Sequence, residues 1–165
     1  MCFDEYAKGG IKPMRIEKII DDKRQYLDLL LLADEQEDMI ELYLDKGDMF
    51  ALYDDNLKSI CVVTREDEYT YELKNIATYD QYQGNGYGRR LVEYLFEYYN
   101  DTCRVMYVGT GDSPNILNFY RKCGFKESHV IKNFFTDNYD HPIYECGEQL
   151  IDMIYLSKEF DSKIS

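Results

Sequence analysis

Apolar and polar residues change their spacing repeatedly along the chain, and each change marks an element. "MRIEKII" (Met14 to Ile20) alternates and predicts a first strand. From Asp22 to Leu44 the spacing turns helical, with Tyr26, Leu27, Leu30 and Leu31 and then Met39, Ile40, Tyr43 and Leu44 at helical intervals. A break near Ala33–Asp34, with Asp34 and Glu37 as a capping pair, divides this region into two helices, and Gly47 is expected to close the second. "DMFALYD" and "KSICVVTR" predict two short strands joined as a hairpin around Asp54–Leu57. "YTYELKNIAT" (Tyr69 to Thr78) reads as a further strand with charged residues at alternate positions. Leu91, Val92, Leu95, Phe96 and Tyr99 form one apolar helical face. "RVMYVGT" then reads as a buried strand, and "SPNILNFYRKCGF" as a short helix with Ser113 as N-cap, Pro114 at its first position and Gly124 at its end. The tail adds strands around Lys126–Ile131 and Leu150–Ser157.

The order β-α-α-β-β-β-α-β-α-β-β implies an α/β (α+β) protein with a mixed sheet flanked by helices. A chain of 165 residues without repeats or linker-like stretches is expected to be one domain, 1–165, with its core about 14–158. Apolar runs such as Leu29–Ala33 stop at five residues, so no membrane span is expected. "MCFDEYAKGG" carries acids and lacks an apolar core, so it does not read as a signal peptide, and a cytoplasmic location is expected.

Composition narrows the partners. The net charge of −13 repels phosphate backbones and anionic lipid and favours cationic amines, which argues against nucleic acid and membranes. Cys2, Cys61, Cys103, Cys123 and Cys146 are odd in number, widely spaced and without a C-x-x-C, so free thiols are expected rather than disulfides. With His129 and His141 the only histidines, no metal site is expected.

"YQGNGYGRRL" (Tyr82 to Leu91) carries the clearest chemistry. It lacks the third glycine of a dinucleotide fingerprint, whose place Arg89 takes, and the chain has no Gly-Lys-Ser/Thr of a Walker A loop. What remains is a strand, a turn with Gln83, Gly84, Gly86 and Gly88, and a helix opening there, whose free N–H groups suit an anion. Arg89 and Arg90 stand in the first turn, where the helix dipole disfavours cations unless a polyanion sits nearby.

"QGNGYG" (Gln83 to Gly88) resembles the Q/R-x-x-G-x-G/A signature of the GNAT family, the GCN5-related N-acetyltransferases. "FYRKCGF", with Tyr120 standing 34 residues after Gly86, resembles the family's second signature, and "HPIYECGEQLIDMIYLSKEF" is similar to uncharacterised bacterial members. Asn85 departs from the pattern, which often has Lys or Arg there. The resemblance implies a mixed, mostly antiparallel sheet of six to seven strands, about four helices and a V-shaped splay between strands 71–78 and 104–109. It implies acetyl-CoA as co-substrate and an amine as acceptor. The pyrophosphate would rest on Gln83, Gly84, Asn85, Gly86, Tyr87 and Gly88, with Arg89 adding charge. The pantetheine arm would pair with the strand before the turn, Asn75 to Thr78, with an N–H of Ile76 or Ala77 polarising the acetyl carbonyl. Tyr120 stands at the place of the general acid, among 17 tyrosines. Glu72 is the candidate base, Asn115 and Asn118 are candidate pantetheine partners, and Cys123 reads as a packing thiol.

Lys132 to Glu148 is aromatic and acidic, with Asp137, Asp140 and Glu145 as candidates for holding a cationic acceptor; a dimer contact or a packed loop fits the same residues. The sequence leaves a monomer or a homodimer open. It also leaves open a silent acyl-CoA-binding or sensing domain and an acidic interaction module.

Overall fold

The computed structural model describes residues 13–161; "MCFDEYAKGG" and Cys2 lie outside the described residues. Asp55 makes the first hairpin. It is the residue between β2 (Asp48–Asp54) and β3 (Asn56–Arg65), and it sits at φ 69°, a left-handed conformation that Asp tolerates. β1 (Arg15–Ile19) runs antiparallel to β2, with Ile16 opposite Leu52 and Ile19 opposite Met49.

Between β1 and β2 the helical spacing yields only short helices. A 3₁₀ turn at Lys23–Tyr26 leads into α1 (Leu27–Leu30), and α2 (Glu37–Glu41) follows. The expected Asp34–Glu37 capping pair does not form. Gln36 precedes α2 without a side-chain cap, and the Asp34 carboxylate accepts a hydrogen bond from the Tyr43 hydroxyl (3.2 Å). Nor does Gly47 close α2, which has already stopped at Glu41. A Cβ at Gly47 would lie 2.5 Å from Val62 Cγ1 and 2.8 Å from the Tyr43 carbonyl oxygen, so close approach rather than backbone twist demands glycine there.

The chain continues through β4 (Thr70–Thr78), a 3₁₀ turn at Asp80–Tyr82, α3 (Tyr87–Tyr98), β5 (Val105–Gly111), α4 (Pro114–Cys123) and β6 (Lys126–Ile131). It closes with α5 (Phe134–Asn138), the small hairpin β7 (Tyr144–Glu145) and β8 (Glu148–Gln149), and β9 (Met153–Glu159). Seven strands form one sheet in the order β1-β2-β3-β4-β5-β9-β6. β4 and β5 are parallel, whereas β5–β9 and β6–β9 are antiparallel. The expected mixed, mostly antiparallel sheet is therefore present. α5 and the β7–β8 hairpin occupy the stretch read as a loop; Cys146 (φ 50°) and Gly147 (φ 80°) form its tip. Leu150, expected to open the last strand, packs instead with Phe135 and Ile143.

The chain divides into two packed units. Among the described residues, the first takes 13–64 and 74–95, and the second 65–73 and 96–161. In the first, Leu29, Leu30, Ile40 and Leu44 bury their side chains against Met49, Ala51, Ile60 and Val62. In the second, β5, β9 and β6 pair side by side, and Phe96 packs on Phe125 and Phe160. β4 belongs to the second unit through Leu73 and to the first from Lys74.

A Gly47→Ala substitution has nowhere to place its methyl group and is expected to lower stability by about 1–3 kcal/mol. Urea denaturation measures it; an unchanged midpoint would mean that Val62 and the turn yield without strain.

Candidate active site

The glycine turn is built from local bonds. Gln83 Nε2 donates to the Thr78 carbonyl and to Asp80 Oδ1, both at 3.2 Å. Asn85 Nδ2 donates to the Tyr82 carbonyl at 2.9 Å, so Asn85 ties the turn together. Gly84 and Gly86 take φ 81° and 82°, and a Cβ on either would meet nothing within 4 Å. Glycine is needed there for the backbone angle alone. The Arg90 N–H donates to the Gly86 carbonyl at 3.0 Å and begins the ladder of α3. The N–H groups of Tyr87, Gly88 and Arg89 therefore have no helical acceptor and point out of the positive end of a twelve-residue helix.

Side chains from the β2–β3 hairpin brace this turn. The Tyr87 hydroxyl donates to Asp54 Oδ2 at 2.7 Å, and that carboxylate pushes the phenol up to about 12. Asn56 Nδ2 donates to the Tyr82 hydroxyl at 3.1 Å. Lys58 is only 9% exposed, and its ammonium lies 3.5 Å from the centroid of the Tyr82 ring and 6.0 Å from that of Tyr87. Sequence reasoning missed Asp54, Asn56 and Lys58, which stand more than twenty residues before the turn and read as ordinary hairpin polars. Arg89, expected to add charge, turns along the helix and pairs with Glu93 at 3.2 Å.

β4 leads into the turn with strict alternation: Tyr71, Leu73, Asn75 and Ala77 are buried, and Glu72, Lys74, Ile76 and Thr78 are half-buried. Ser59 Oγ on β3 donates to the Ala77 carbonyl at 2.8 Å, and the Tyr79 N–H donates to the Lys58 carbonyl at 3.2 Å. Backbone groups of residues 77 and 79 thus face β3, so those of Ile76 and Thr78 face away from it. Asn75 is buried beneath them. Its Nδ2 donates to the Leu30 carbonyl and to the Tyr43 hydroxyl, both at 3.0 Å, while its Oδ1 has no partner.

In the second unit, Tyr120 on α4 is 7% exposed, with its ring edge-on to Phe119 (5.2 Å) and Phe125 (5.8 Å). Gly124 ends α4 at φ 108°, and the Phe125 N–H folds back onto the Tyr120 carbonyl at 3.0 Å. Burial above all, with the Cys123 thiol and Glu145 adding to it, raises the Tyr120 phenol, which stays protonated at neutral pH. Asn115 and Asn118 lie on the exposed side of α4, and Cys123 is half-buried. Glu72 Oε1 accepts a hydrogen bond from the Tyr155 hydroxyl at 3.1 Å. Asp137 is exposed on α5, and Asp140 pairs with His141. Asp140 and His141 line a concavity of about 230 Å³ with Phe135, Tyr139, Ile143 and Leu150.

Among the described residues, no group of three or more His, Cys, Asp or Glu side chains is arranged to hold a metal, and no helix is long and apolar enough to cross a membrane.

A family model described as an acetyltransferase (GNAT) domain matches residues 45–127, which run from β2 to the start of β6 and so include the turn and α4. The chain belongs to the GNAT family of N-acetyltransferases. It is 33% identical over 150 residues to the uncharacterised N-acetyltransferase YvbK of Bacillus subtilis (strain 168), covering 89% of this chain and 97% of that one. A GNAT acetyltransferase from Elizabethkingia anophelis, solved with acetyl-CoA bound, superposes with a TM-score of 0.84 at 33% identity, over 89% of this chain and 98% of that one. A Bacillus subtilis acetyltransferase in complex with CoA gives 0.81 at 32% identity, over 89% and 99%.

Gly84→Ala and Gly86→Ala are each expected to cost about 1–2 kcal/mol of stability in chemical denaturation, from the left-handed backbone alone. A cost near zero would mean that the turn relaxes to negative φ.

Proposed function

We propose that this GNAT acetyltransferase moves an acetyl group from acetyl-CoA to a primary amine, most readily a cationic one, by direct attack of the amine on the thioester. The observation that carries this reading is the run of unpaired N–H groups at Tyr87, Gly88 and Arg89, opened by two left-handed glycines. A pyrophosphate is a dianion matched to such a cradle, and related structures bind acetyl-CoA or CoA. The buried Lys58 ammonium adds positive potential beside the turn, in a role the Glu93-paired Arg89 fills less well.

Each requirement of the reaction has a residue. Gln83 to Gly88 hold the pyrophosphate. The outward backbone edge of Ile76 and Thr78 takes the pantetheine arm as an added strand, with Asn115 as a further hydrogen-bonding partner. The Ile76 N–H, rather than that of Ala77, donates to the carbonyl oxygen as it becomes an oxyanion. When the amine nitrogen bonds to the carbonyl carbon, the C–S bond breaks and the sulfur receives the Tyr120 proton. A cationic acceptor first passes one proton to Glu72, directly or through a water, and only then attacks; the proton left on nitrogen once the C–N bond has formed makes good the one Tyr120 gave to sulfur. A surface with net charge −13 supports a cationic acceptor. The free thiols of Cys61, Cys103, Cys123 and Cys146 support a cytoplasmic location. We take residues 1–165 as one catalytic domain, since related chains are covered almost end to end.

Calorimetric titration with acetyl-CoA is expected to give a dissociation constant on the order of micromolar, lost when Gly84 and Gly86 are both changed to valine. Binding that survives that change would remove the turn from the site. Tyr120→Phe is expected to lower turnover about 10²-fold with acetyl-CoA affinity unaltered. Because burial raises the phenol, wild-type turnover should not fall on the alkaline side below about pH 10. Binding without turnover on any amine would favour the sensing domain instead.

A further inference from the structure

Glu72 on β4 and Tyr155 on β9 are separated by a whole strand, β5, yet they share a hydrogen bond of 3.1 Å. Register explains how. Tyr155 stands opposite Gly109 of β5, and Gly109 puts no side chain over the strand. A Cβ there would lie 3.0 Å from Tyr155 Cζ and 2.5 Å from Met153 Sδ. The phenol therefore lies across β5 because position 109 is bare, and its hydroxyl reaches the next strand. From β6, His129 stacks flat on the Tyr155 ring, with centroids 4.8 Å apart and planes 2° from parallel. Tyr107, in register with Glu72, meets the His129 ring edge-on at 5.9 Å.

We propose that Tyr155 is a positioning residue for Glu72: laid across the bare Gly109 and held by His129, it fixes the orientation in which the Glu72 carboxylate meets the acceptor. The inference rests on Glu72 as the proton acceptor proposed above. The phenol's hydrogen bond holds the carboxylate at Oε1 and so restricts the turning of the Glu72 side chain. The donor keeps its own proton, since burial first and then the Glu72 charge and hydrogen bond raise the Tyr155 phenol, with Glu66 ahead of β4 adding further negative charge. The ionisable groups near the carboxylate and its phenol include Tyr155, His129, Tyr107 and Glu66, with Lys74 two positions along β4 on the same half-buried face.

The test is ¹³C-carboxyl NMR of the full chain without ligand at neutral pH, with the Glu72 resonance assigned by its loss in Glu72→Gln. Tyr155→Phe, which removes the donor and keeps the ring, is expected to shift that resonance. Gly109→Ala, which keeps the phenol but displaces it, should shift it in the same direction. A resonance unmoved in Tyr155→Phe overturns the inference, and so does one unmoved in a folded Gly109→Ala. The measurement needs no acceptor, so the two readings fail separately. Undiminished CoA release by Glu72→Gln, with putrescine and benzylamine as probe amines, would sink the base assignment. An unmoved resonance would sink the positioning contact.

Discussion

Tyr71, Leu73, Asn75 and Ala77 are buried on β4, and a strand cannot bury them without turning Glu72, Lys74, Ile76 and Thr78 to the opposite face. The proposed oxyanion donor and the proposed base both hang on that alternation. The same two-residue period that buries Ala77 and directs its carbonyl to Ser59 turns the Ile76 backbone away from β3. It puts Glu72 on the face where Tyr155 lies. A slip of one residue would exchange the buried and open faces and send both candidate groups into the core. Asn75 makes such a slip harder, because its amide is held by the Leu30 carbonyl and the Tyr43 hydroxyl.

The turn after β4 solves a different problem, that of presenting backbone donors in an acidic protein. Two of the side-chain cations near it have partners of their own: Arg89 pairs with Glu93, and Lys58 lies over the Tyr82 ring. Main-chain N–H groups add donors that carry no formal charge, cannot be neutralised by a nearby carboxylate and keep their direction once Gly84 and Gly86 fix the path. Asn85, standing where the family often has a basic residue, fits this arrangement because its amide closes the turn from within.

Local features were legible in the sequence. The glycine turn, the span of α4 from Pro114 to Cys123 and its left-handed end at Gly124 follow from residues within a few positions of each other. The Asp55 hairpin and β6 are equally short-range. What failed depended on distant partners. Asp34 was free to cap α2 by sequence, but Tyr43 claims it; Gly47 looks like a helix stop, but Val62 decides its identity. Lys58 carries no mark that separates it from a solvated strand lysine until the turn folds over it. The insertion of β9 between β5 and β6 had no local signal, and with it the reach of Tyr155 to Glu72 was hidden.

Gly109 and Tyr155 make a lock of two parts, since the methyl group of an alanine at 109 would occupy the space through which the phenol passes. The two positions are therefore not free to drift apart over evolutionary time. Among descendants of this chain, a larger residue at 109 should travel with a smaller or differently aimed residue at 155 and with a shifted side chain at 153, whose sulfur would lie 2.5 Å from the added Cβ. Paired change at these two sites would record, in sequence alone, whether the crossing over β5 has been kept.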